Sequence, residues 1–333
     1  MLYKLYLLII ISLVILKCYK KKKLNEMFDN NLSIGLVTTT KSAHNLNDWI
    51  NYHLDFGIKK IYLIFDDENE NTSRYKWYDS RLSVIKNDNE WKEKLKACSQ
   101  YNNFKDSYNT EVMTRQILNA EYVLKIAKVE NIDWLIHIDV DEILYSKNHS
   151  NICSLFNNLN TSTNIIKIHN YEVAPTNDNT GNCFRSQYYF KTKKAGSMFN
   201  AYFNGKGGCK VNSDAYPHGV HDFKSKTEIK EIIDENDLVI LHYVNCNFNE
   251  WVRKYKILGR FSDKWWGRKK IPLQFHTKSR DIINDNSIKF WENTCRQLYN
   301  KDVVLSESLL DNLVKDNKII KIEDVNKRLN NFD

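Results

Sequence analysis

The chain has 333 residues, 42% of them hydrophobic and 13% aromatic, enough apolar material for one large α/β domain with an appendage or for two small domains. The formal charge of +8 suggests a nucleic-acid binder, but Lys4, Lys17 and Lys20 to Lys23 contribute six of those charges within residues 1–23, where there is no acid. The remaining body carries +2 and lacks the broad basic face that nucleic-acid binding needs, so no nucleic-acid partner is expected.

Residues 5–16 are apolar apart from Ser12 and are flanked by Lys4 and Lys17. With its ends this stretch approaches spanning length. Residues 1–23 therefore read as a single-pass membrane anchor with a basic flank, with a cleaved signal peptide as the alternative. Five lysines after the span against Lys4 and the amino terminus before it would put the body in the cytosol, whereas a secretory-pathway (Golgi-like) enzyme needs the opposite orientation, so the side stays open. The seven cysteines are scattered without a C-x-x-C and support neither a disulfide framework nor a zinc site.

A polar link at 24–32 leads into residues 33–40 (SIGLVTTT), which predict a buried strand with Thr38, Thr39 and Thr40 at its carboxyl end. Asn47 is placed to cap a helix over 48–56 that stops at Gly57. Residues 58–65 (IKKIYLIF) predict a second strand ending in Asp66, Asp67 and Glu68, and 82–86 a third. A stripe of Met113, Ile117, Ala120, Leu124 and Ala127 marks a helix over 110–129. Arg115 lies on another edge of that helix, placed either to pair with Glu111 or to face a phosphate.

The central stretch is 134–145, WLIHIDVDEILY, an apolar strand that hands over to Asp139, Asp141 and Glu142. In an extended segment residues two apart share a face, so Asp139 and Asp141 are expected to converge, and their mutual repulsion calls for a cation between them. Hard oxygens suit Mg²⁺ or Mn²⁺, with substrate phosphates completing the shell. Further on, 165–169 predicts a strand followed by Tyr171-Glu172-Val173. Residues 200–222 predict a glycine-rich loop with Lys206, Lys210, His218 and His221 supplying cations, and 238–243 a last strand carrying His242. A helix over 247–258 follows. Residues 259–333 read as a mainly helical extension, with Trp265-Trp266 either an acceptor platform or packing.

This order resembles the GT-A glycosyltransferases, more narrowly glycosyltransferase family 92 and its family-2-like relatives. The resemblance covers roughly 33–258 and rests on Trp49 with Tyr52-His53, the strand ending at Asp67, Arg115-Gln116 with Asn119, Asp133-Trp134 through Asp139-Val-Asp-Glu142, the Gly205–Lys210 element, and His242-Tyr243 before the Trp251–Tyr255 helix. The family's early Asn-Glu is replaced here by His44-Asn45-Leu46-Asn47-Asp48.

The resemblance implies a GT-A, Rossmann-like, mainly parallel sheet flanked by helices over 33–258. It also implies transfer of a sugar from a nucleotide donor, expected to be a UDP-sugar, to a glycan or protein-linked hydroxyl. Asp139 would hold the ribose or the metal, Asp141 the Mn²⁺ or Mg²⁺, and His242 would be a late ligand, with His221 as its rival. Lys206 and Lys210 would assist as point charges, while Thr38 to Thr40 and Asp66 or Asp67 would meet the uridine. Inversion would need a base, for which Glu172, Asp214 and Asp222 are the candidates. A metal-dependent phosphoryl-transfer enzyme or nuclease, or a non-catalytic protein of the same fold, are the rival readings.

Overall fold

The computed structural model describes residues 32–76, 78–177 and 181–332. The expected N-terminal anchor lies outside them, and no helix among the described residues is long and apolar enough to cross a membrane. The strands are β1 (Ile34–Thr40), β2 (Lys60–Phe65), β3 (Leu82–Lys86), β4 (Trp134–His137), β5 (Glu142–Tyr145), β6 (Ile165–Ile168), β7 (Asn170–Val173), β8 (Tyr189–Lys191) and β9 (Lys206–Lys210). They continue with the ribbon β10 and β11 (Tyr216–Pro217, Phe223–Lys224), β12 (Lys230–Ile232), β13 (Val239–His242), the ribbon β14 and β15 (Lys264–Trp265, Lys269–Lys270) and β16 (Ile319–Lys321).

The protein is mixed α/β, with a mainly parallel central sheet flanked by helices. Seven strands are ordered β12-β6-β9-β4-β1-β2-β3, and only β9 runs against its two neighbours. Every residue of β1 is buried, as expected of a strand covered on both faces. One side meets the helix Leu46–Asp55 through Leu36 and Leu63, the other meets the helix Val112–Val129 through Val37 and Leu135. A second sheet, β16-β8-β7-β13-β5, stands beside the first. The chain crosses between them at residues 138–141 and again at His169, so both sheets meet along one seam.

Several expectations change here. Residues 134–145 are two strands in different sheets, broken by a turn in which the Glu142 amide donates to the Asp139 carbonyl at 3.1 Å. The helix expected over 48–56 is Leu46–Asp55, entered through Asn45 in the left-handed region rather than capped by Asn47. Within the glycine stretch 200–222, which is otherwise mostly loop and turn, Lys206–Lys210 forms the strand β9 inside the large sheet. At Gly205, with φ +67°, an added Cβ would stand 2.0 Å from the Ile168 carbonyl oxygen, so glycine is required where this strand enters the sheet. Cys183 and Cys246, whose spacing gave no support for a disulfide framework, form a disulfide that ties a short helical turn to the segment after β13. No boundary between cores falls at 258: Phe248, Trp251 and Tyr255 share a cluster with Ile283, Cys295 and Tyr299, and β16 pairs with β8.

Candidate active site

The parallel strands β1, β2 and β4 end together, which sets Thr40, Asp66 and Asp139 on one edge of the large sheet, where open α/β sheets bind ligands. The seam turn follows directly. Asp139 Oδ1 accepts from Gln116 Nε2 at 2.7 Å and its Oδ2 from Lys206 Nζ at 2.6 Å. For Asp141, Lys254 Nζ stands 3.0 Å and His242 Nε2 3.6 Å from its Oδ2. The two aspartates thus face different partners. The backbone that joins them is a turn rather than the extended segment that spacing predicted, and the two carboxylates still feel each other's charge.

Glu142 ties the turn together. Its Oε2 accepts from the Asp139 amide at 2.7 Å and lies 3.7 Å from Lys206 Nζ, while its Oε1 has no partner among the described residues. Burial pushes the Glu142 carboxyl well above the usual range, against the pull of Lys206. Burial works the same way on Asp141, but the Lys254 and His242 charges override it and hold that carboxyl well below its ordinary value. For Asp139, burial is outweighed by Lys206, and the net shift is also downward. His137, sealed at the end of β4, is pushed down to about 3 by burial and by Lys206, so it is neutral.

Other candidates fall into place around this centre or away from it. Arg115 grips Asp66 with Nε and Nη2 at 2.6 and 2.8 Å and gives Nη1 to the Tyr108 carbonyl, so neither Glu111 nor an open phosphate position holds it. Asp67 is a half-buried residue near Lys41 at 3.6 Å. Thr39 accepts from Asn119 of the Val112–Val129 helix, the helix that also supplies Gln116 to Asp139. Thr38 and Thr40 alternate onto the opposite face of β1, and their hydroxyls are buried without a partner among the described residues.

Lys206 is buried at the site end of β9. Lys210, at its other end, bonds the Thr161 carbonyl roughly 13 Å of strand away and is not part of the cluster. His221 donates from Nδ1 to the Gly205 carbonyl oxygen at 2.9 Å and packs on Tyr202, and burial lowers its pKa to about 3. Tyr202 also lies against His242, 4.9 Å between ring centres.

The three candidates for a base are all committed elsewhere. Glu172 is sealed in β7, accepting from Lys191 Nζ and the amides of Asn200 and Ala201, each at 2.8 Å. Asp222 pairs with Lys167 at 2.8 Å, and Asp214 accepts from Ser225 and the Lys226 amide in an exposed turn. The Trp266 indole donates to Thr114 and its ring meets Phe104, a packing role at the start of the Val112–Val129 helix.

As a metal site, these residues fit in part. Among the described residues no group of three or more His, Cys, Asp or Glu side chains is arranged to hold an ion. Asp141 and His242 do converge, one hard oxygen and one imidazole whose Nδ1 is buried without a partner among the described residues. Asp139 is engaged by Gln116 and Lys206, and His221 by Gly205. Sequence reasoning missed Lys254: a single lysine in a basic, amphipathic helix carries no signal that it faces inward to an aspartate.

An acidic turn at the strand ends of a mixed α/β sheet, answered by lysines and an imidazole, defines a class of protein suited to binding an anionic ligand beside a cation. No family model matches the chain. It is similar to two curated proteins of Arabidopsis thaliana. One is described as glycosyltransferase-like At3g57200, 24% identical over 259 residues that make up 68% of this chain and 50% of that protein. The other is glycosyltransferase-like At2g41451, 25% identical over 247 residues, 64% of this chain and 54% of that protein. The chain thus spans about half the length of the curated relatives it matches. A solved structure of mouse xyloside xylosyltransferase 1 in apo form aligns at 16% identity over 41% of this chain and 52% of the other, with a TM-score of 0.25, too low to carry an argument.

Proposed function

We propose that this chain transfers a sugar, of hexose type, from a nucleotide donor, a UDP-sugar, to a hydroxyl of a glycan or glycoprotein, in a reaction dependent on Mn²⁺ or Mg²⁺. The observation that carries the reading is the convergence of Asp141 and His242 at the seam, beside the ends of the parallel strands where open α/β sheets bind ligands. The similarity to glycosyltransferase-like proteins supports the same class. An ion held by Asp141 and His242 would supply Lewis-acid neutralisation of the departing diphosphate. The chain's own residues do the rest: Lys206 fixes Asp139, Glu142 fixes the turn, and Lys254 brings a cation to the cleft. A two-ion phosphoryl-transfer centre would need its carboxylates free for the ions, whereas Asp139 is held by Lys206 and Gln116 and Asp141 by Lys254.

The disulfide between Cys183 and Cys246 supports a body facing an oxidising lumen, with residues 1–23 as its membrane anchor. That placement runs against the lysine count around the anchor.

The test is UDP release from a panel of UDP-sugars by the full chain, with and without Mn²⁺, beside Asp141→Ala. The expected result is metal-stimulated release that the substitution removes. Equal release by both proteins would overturn the site, and no release from any nucleotide sugar would overturn the activity.

A further inference from the structure

The Asp139–Lys206 and Asp141–Lys254 pairs have the same chemistry but different access. The Lys206 side chain is 1% exposed and reaches both Asp139 and Glu142 from within the sheet, so that ammonium is a fixed part of the wall. The Lys254 side chain is 31% exposed and Asp141 33%, so their contact is open to exchange with solvent ions. It is also a contact on a contested atom, because Asp141 Oδ2 receives Lys254 Nζ at 3.0 Å and faces His242 Nε2 at 3.6 Å. The Phe248–Leu258 helix that carries Lys254 is anchored by buried Trp251 and Tyr255, so the backbone is fixed and only the four-carbon stem has freedom.

An ion held by Asp141 and His242 would compete with the Lys254 ammonium for that oxygen. Two cations that close repel strongly in a half-buried site. Resting on the glycosyl-transfer reading above, we infer that Lys254 is a resident counter-ion that a divalent cation displaces from Asp141, and that the released ammonium then pairs with the diphosphate of the donor. In the ion-free protein Lys254 keeps Asp141 neutralised. With the ion bound, the lysine is available to an anion, so ion and donor each favour the arrangement that the other requires.

The experiment is titration of the full chain with Mn²⁺, followed by the EPR signal of the free ion, with and without UDP, in the wild type, Lys254→Met and Lys254→Arg. The methionine keeps the stem and removes the charge, and a urea midpoint checks that each variant is folded. The expected result is Mn²⁺ binding to Lys254→Met roughly tenfold tighter than to the wild type, with loss of the mutual strengthening between Mn²⁺ and UDP. Lys254→Arg should retain the weaker ion affinity. Mn²⁺ affinity that is unchanged or lower in Lys254→Met, beside a wild type that binds the ion, overturns the competition and leaves the metal reading standing. Absence of Mn²⁺ binding in all three proteins overturns both.

Discussion

Glu172 and Asp141 are both carboxylates held against a lysine near the seam of the two sheets, yet they are different kinds of residue. Glu172 is 1% exposed and accepts three hydrogen bonds, from Lys191 and two backbone amides, which leaves no room for a ligand. Asp141 is 33% exposed and shares one oxygen between a partly exposed lysine and an imidazole. A buried acid whose donors are complete fixes the fold, and one whose donors are few and exchangeable is available for chemistry. The same contrast separates Lys206 from Lys254.

That contrast can be broken most forcefully at Glu172. Glu172→Ala leaves Lys191 buried without its carboxylate and should cost about 3–5 kcal/mol in urea unfolding. A cost under about 1 kcal/mol would mean that the acid is not structural. Asp141→Asn should do the reverse: stability changes by less than about 1 kcal/mol, while UDP release falls by about 10²–10³-fold. Loss of fold with activity per folded molecule intact would reverse the two assignments.

A third way to sharpen it uses pH. His53 is sealed between Trp49 and Leu144, with Nδ1 at 2.8 Å from the Trp49 carbonyl oxygen and Nε2 accepting the Leu144 amide, and burial lowers it to about 3 from 6.5. Because the folded value is the lower one, the unfolded chain takes up the proton first. Stability is therefore whole above about pH 6.5 and declines as pH falls. Between pH 6.5 and pH 5 this one ring should cost about 2 kcal/mol, and His53→Gln should flatten the acid limb of the stability profile by that amount. An unchanged slope would show that the ring is not sealed. The smallest effect is expected at Lys210→Ala, within about 0.5 kcal/mol of wild type and with UDP affinity unchanged. Weakened UDP binding there would bring the far end of β9 into the site.

Local pattern and overall architecture agree well where one element answers to one period. The β3 strand at Leu82–Lys86 and the long helix ending at Val129 stand where their patterns put them, because a run covered on both faces and an amphipathic stripe depend on residues close in sequence. The Gly205–Lys210 stretch misled for the opposite reason: glycines signal a loop, but here the absent side chains let backbone pass close to Ile168 and Leu135 inside a sheet. The Cys183–Cys246 bond gave no signal either, since a pairing across 63 residues depends on where two chain segments end up.

The order of residues by itself determined the mixed α/β class, the acidic residues after a buried strand, and the presence of His242 on a late strand. Tertiary structure alone decided that a turn would separate β4 from β5, that Glu172 would be sealed while Asp141 stayed open, and that Lys254 would stand opposite the latter. Side chains of like charge are indistinguishable along a chain. Their roles diverge only when folding gives each its own burial and its own partners.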